Sequence, residues 1–117
     1  MEIIPSAGVY AFGWIDKLFD GTEDNLGRTL TNGEGSFLEL KFTNVHPAFN
    51  QVVVRGRYVA DMEIKVRNNG ELSVPEILDV KTEEFSTTFL LKDTIAPDAL
   101  RLEFKSTFVE LYEIEVF

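Results

Sequence analysis

Oxygen-bearing side chains crowd one short stretch of the chain: Asp20, Thr22 and Asp24 occupy alternate positions in Asp20-Gly21-Thr22-Glu23-Asp24-Asn25. A hard cation such as Ca²⁺ takes about six to eight oxygens from carboxylates, hydroxyls and carbonyls, and this spacing offers three of them. The glycine that an EF-hand loop requires is not in place. An Asp that caps a turn beside Gly21 is the plainer account. A second set of residues has the chemistry for sugars, which need a planar ring against their C–H faces and planar donors for vicinal hydroxyls. Tyr10, Phe12 and Trp14 alternate in Tyr10-Ala11-Phe12-Gly13-Trp14, Arg55 and Arg57 share a strand face around Gly56, and His46 stands before Pro47. Tyr58, Asn68 and Asn69 are of suitable type as well. Each also has a plainer reading. The aromatic stripe can be core, a lone loop histidine is usually solvated, and the arginines can simply offset an acidic surface. At Gly56 either a ligand or another backbone can come close.

Covalent and metal-assisted catalysis have little to draw on. The chain has no Cys and one His among 117 residues, which removes disulfides, zinc–thiolate sites, Fe–S clusters, cysteine nucleophiles and histidine cages within one chain. Twenty Asp and Glu make neighbouring carboxylates such as Glu83-Glu84 inevitable, so proximity alone says nothing of general acid–base work. No nucleophile elbow, P-loop or Rossmann glycine pattern occurs. The expectation is a protein that is not an enzyme. A net charge of −9 repels phosphate backbones and anionic headgroups, which argues against nucleic acid and membrane surfaces as partners. Glu2 and Pro5 break the pattern of an export signal, and no stretch approaches the roughly 20 apolar residues of a membrane-spanning helix.

The elements that must carry these residues are strands. Leu38, Leu40 and Phe42 alternate with Glu39 and Lys41, and Met62, Ile64 and Val66 alternate with charged neighbours, the period-two pattern of half-buried strands. Val52, Val53 and Val54 run together, as in a strand covered on both faces. Asn68-Asn69-Gly70 predicts a hairpin turn into Leu72-Ser73-Val74, which Pro75 ends. Further strands are expected over Phe85 to Leu91, Leu100 to Phe104 and Val109 to Phe117, with a turn at Pro97-Asp98. Residues 20 to 36 read as a long ordered loop. No repeat or linker is present, so the expectation is one all-β domain over residues 1–117, a sandwich of about eight strands. Leu38, Leu40, Phe42, Val52, Val54, Ile64, Val66, Phe89, Leu91, Leu100, Leu102, Phe104, Ile114 and Val116 should fill the space between its sheets.

Five segments in order, Trp14 to Thr22 with its Asp20-Gly21, Ser36 to Phe42, Asn50 to Arg57, Ala99 to Phe104 and Leu111 to Phe117, resemble the galactose-binding-like jelly roll. That family includes discoidin (coagulation-factor C-type) domains and related carbohydrate-binding modules. The resemblance implies jelly-roll topology, a non-catalytic binding role directed at carbohydrate, and a structural calcium held by Asp20, Thr22 and Glu113. Ligand contacts would come from Tyr10, Trp14, His46, Arg55 and Arg57. The usual aromatic after the Asp-Gly segment is missing, where Thr22-Glu23-Asp24-Asn25 runs on to Leu26. The competing expectation is a structural or adaptor module with a protein partner, for instance a virus or phage particle component. An exported parent, the cytoplasm and a virion are all compatible with the sequence.

Overall fold

In the computed structural model of the protein, the described residues are 2–5, 9–10, 29–32, 36–106 and 108–117. They form eleven strands: β1 Glu2–Pro5, β2 Val9–Tyr10, β3 Thr29–Asn32, β4 Phe37–Lys41, β5 Phe49–Arg57, β6 Met62–Asn68, β7 Glu71–Ser73, β8 Ile77–Glu83, β9 Ser86–Ile95, β10 Ala99–Phe104 and β11 Phe108–Val116. All pairings are antiparallel. The first sheet runs β1-β4-β10-β6-β7 and the second runs β2-β3-β11-β5-β9-β8. Two such sheets must press their apolar faces together, and the alternation along each strand decides which face that is. The architecture is the single all-β sandwich expected. Short segments such as two-residue β2 and three-residue β7 raise the number above about eight.

The core follows the period-two pattern closely. Leu38, Leu40, Val52, Val54, Ile64, Leu100, Leu102 and Phe104 are all at most 1% exposed, and the other expected core residues are buried too, except half-buried Val116. Val53 is 4% exposed although it points away from the core, flanked on the outer face of β5 by Gln51, Arg55 and Thr88. The unbroken valine run predicts a strand covered on both faces, whereas this face opens to a surface trough.

Three further expectations need correction. Glu39 was to face solvent but is 8% exposed. Its two carboxylate oxygens accept hydrogen bonds from Arg67 Nε and Nη2 at 3.2 and 3.1 Å, a bidentate pair that makes burial of the charge tolerable. Bonding to that carboxylate raises the Arg67 guanidinium further above its ordinary pKa. The stretch 20 to 36 is not loop throughout, because β3 Thr29–Asn32 lies within it and pairs with both β2 and β11. The strand expected from Phe85 begins instead at Ser86, and β8 precedes it. Phe85 sits in the turn between β8 and β9.

Candidate functional site

The strand registers sort the loops onto two ends of the sandwich. Lys41, Ala99 and Arg67 lie side by side across β4, β10 and β6, so the β4–β5, β6–β7 and β9–β10 connections share one end. Asp98 ties them together. Its Oδ2 accepts the Asn69 backbone N–H at 2.7 Å, and its Oδ1 lies 3.4 Å from His46 Nδ1. Its N–H donates to the Arg67 carbonyl at 2.9 Å, and its carbonyl accepts from Phe42 N–H at 2.9 Å. The turn itself uses Asn69 at φ 51° and Gly70 at φ 83°, the residue pair that adopts left-handed backbone at least cost. His46 therefore stands beside a structural clasp.

The other end holds the β5–β6 and β8–β9 connections. Arg57, the last residue of β5, lies about 26 Å from that strand's start at 3.3 Å per residue. Here a cleft of about 250 Å³ is lined by Arg57, Tyr58, Glu84 and Phe85. The Arg57 guanidinium carbon stands 5.8 Å from the centre of the Phe85 ring, within range of a cation–π attraction. Tyr58 is 60% exposed and Phe85 48%. Tyr58 also adopts φ 61°, a conformation a bulky aromatic residue rarely holds without compensation. Backbone bonds fix the surroundings: Gly56 N–H donates to the Phe85 carbonyl at 2.9 Å and Lys105 N–H to the Asp61 carbonyl at 3.1 Å. Two large rings, a guanidinium and a carboxylate thus meet at one exposed edge. That set can stack on an apolar face and bond hydroxyls around it.

Arg55 and Arg57 share the outer face of β5, as their spacing predicts, and Arg55 Nε donates to Glu115 Oε1 at 2.8 Å. Gly56 between them serves a backbone neighbour. A Cβ there would strike the Glu110 carbonyl of β11. Glu113 is 2% exposed and sits opposite Arg55 in register. Its strand carries a bulge between Leu111 and Glu113. Of the remaining expected site residues, Tyr10 lies in β2, while Trp14, Asp20 and Thr22 lie outside the described residues. His46 and Arg57 are not brought together. Phe85 went unnoticed in the sequence because it reads as a strand residue, and only its place in a tight turn exposes it. Tyr58, noted for its type, has no sequence mark of its left-handed backbone.

No protein-family model matches the sequence, and comparison with curated proteins finds no match either. Solved structures do match. A carbohydrate-binding module of family 32 produced by Clostridium perfringens, CpGH89CBM32-6, superposes with a TM-score of 0.75 at 16% identity, over 99% of this chain and 91% of the module. The family 32 module of AlyQ, solved in complex with 4,5-unsaturated mannuronic acid, gives 0.71 at 14% identity over 100% and 94%. The family 32 module of C. perfringens NanJ, solved in complex with galactose, gives 0.70 at 12% identity over 97% and 92%. The fold is therefore the galactose-binding-like jelly roll that the sequence resembles.

Proposed function

We propose that this chain is a non-catalytic carbohydrate-binding module whose sugar seats in the Arg57, Tyr58, Glu84 and Phe85 cleft. The observation that carries the reading is the likeness over nearly the full length of both chains to three modules named for carbohydrate binding. The cleft supports it with exposed rings and a guanidinium at one edge. A sugar ring would lie on Phe85 or Tyr58 through its apolar C–H face. Arg57 donates and Glu84 accepts at the hydroxyls, and no covalent step is involved. A glycan array followed by calorimetry tests this. At least one glycan should bind, and Arg57→Ala or Tyr58→Ala should weaken it roughly tenfold, about 1.4 kcal/mol. A silent array together with a defined oligomer or attachment to a larger particle would point to an assembly module instead.

We also propose a structural calcium held by Asp20, Thr22 and Glu113. Glu113 fits in type and burial, since a nearly inaccessible carboxylate is a suitable donor to a hard cation. Calcium that binds only the folded form raises the melting temperature. The melt should rise with Ca²⁺, fall with EDTA, and lose both responses in Asp20→Ala. Superimposable melts would leave Glu113 to its register partner Arg55.

A further inference from the structure

Away from the cleft, the outer face of the second sheet carries a trough of about 520 Å³ across β8, β9 and β5, bounded by Phe117 just after β11. Its floor is Val53, 4% exposed although it faces away from the core. Gln51, Ser86 and Thr88 stand along it, and the Phe117 ring, 58% exposed, closes one end. Phe117 is held in place by its backbone. Its N–H donates to the Gln51 carbonyl at 2.9 Å, and its carbonyl accepts from Asn50 and Gln51 N–H at 2.8 and 3.1 Å.

Two cations border the trough, and each has a carboxylate beside it. Arg55 Nε lies 2.8 Å from Glu115 Oε1, and Lys81 Nζ lies 3.2 Å from Glu83 Oε1. The trough is therefore locally balanced in charge on a chain of net charge −9, which suits a neutral ligand and disfavours a polyanion. Amide, hydroxyls and ion pairs offer donors and acceptors together, and an aromatic plate marks the end. Arg55 lies opposite Ser86 in register, and Phe85 and Arg57 of the cleft are the next positions along. From Arg57 to Gln51 the run is about 20 Å at 3.3 Å per residue, longer than one sugar ring requires.

We propose that cleft and trough form one extended binding surface, and that it takes a neutral, unbranched oligosaccharide, with Gln51, Thr88 and Phe117 contacting the units beyond the first. This rests on the carbohydrate reading and adds the kind and length of the ligand. The test is calorimetry on the full chain with neutral gluco-, galacto- and manno-oligosaccharides from monosaccharide to hexasaccharide, and with oligouronates as the charged comparison. In the best-bound neutral series, affinity should climb with chain length. Phe117→Ala and Gln51→Ala should erase that climb, weakening the hexasaccharide about tenfold while the monosaccharide binds as before. Arg57→Ala should weaken every length. Thermal melts matching the parent's establish that the variants fold, and Thr88→Val gives a second, shape-conserving probe. Affinity that is flat with length, trough variants that match the parent, or a preference for oligouronates would overturn the extended surface and leave the single-sugar cleft standing. Absence of binding to every monosaccharide and oligosaccharide would overturn both.

Discussion

The two ends of the sandwich both bend the backbone through left-handed conformations, but they fill those positions with opposite residues. At the Asp98 end Asn69 and Gly70 take positive φ, residues for which that geometry is nearly free. Asp98 then bonds the turn to its neighbours. At the other end a tyrosine takes φ 61° and leaves its ring 60% exposed. Glycine would take that backbone at less steric cost. The contrast teaches that the Asp98 end fills its left-handed positions with residues that adopt them easily, while the other end holds a bulky residue there with its ring at the surface.

That contrast can be broken by mutation. Leu102, fully buried between the sheets, supports both ends alike. Leu102→Ala should cost about 2–5 kcal/mol in a denaturant melt, through lost transfer energy and the cavity left behind. Gly56→Ala drives a methyl group into the Glu110 carbonyl and should cost about 3 kcal/mol by the same measurement, since backbone cannot yield as a flexible side chain can. Asp98→Ala should cost about 1 kcal/mol by releasing Asn69 and His46, with glycan affinity unchanged. If that variant loses binding, the assignment of the two ends is reversed. Tyr58→Gly is the sharpest probe, expected to stabilise by about 1 kcal/mol through relief of the left-handed residue while binding falls. A destabilised Tyr58→Gly would show that the ring serves the fold.

The smallest effect concerns pH. Glu63 and Lys105 meet at 2.8 Å beside the β5–β6 connection. The bond to Lys105 holds the Glu63 carboxyl below its ordinary pKa, and the bond to Glu63 raises that of Lys105. With a lowered folded value, Glu63 contributes stability above its unfolded pKa and loses it as the pH falls through the lowered one. Lys105 contributes below its unfolded pKa and loses this as the pH rises through the raised one. The pair is exposed, so Lys105→Ala should slightly flatten the acid limb of a plot of melting temperature against pH, with less effect in high salt.

The core was legible in the sequence because burial on one face writes alternation into a strand, as in Leu38, Leu40 and Leu100, Leu102. β8 was not, and the reason is physical. Ile77–Glu83 is an edge strand with exposed residues on both faces after Ile77, so no apolar period marks it. The site was only half legible. Arg55 and Arg57 share a face because side chains in a strand repeat every two residues. His46 went to the opposite end because loop residues carry no period that tells which end they reach. Phe85 and Tyr58 owe their exposure to turn geometry, which neither ring type announces. Glu39 looked like a surface charge because its partner, Arg67, is far away in sequence.

The bulge in β11 sets the phase of the strand. Val109 and Leu111 before it and Ile114 after it all point to the core, although odd and even positions of an uninterrupted strand would face opposite ways. Tyr112 is therefore a phase-setting spacer, the residue that the register of β11 against β5 skips. Straightening the strand with Tyr112 kept would invert everything after it, sending Glu113 and Glu115 toward the core and turning Ile114 outward, and an inserted residue would do the same. Deleting Tyr112 would instead join Leu111 to Glu113 in plain alternation and leave every later face, that of Phe117 included, where it is. This strand should thus tolerate the loss of one residue at position 112 better than the gain of one.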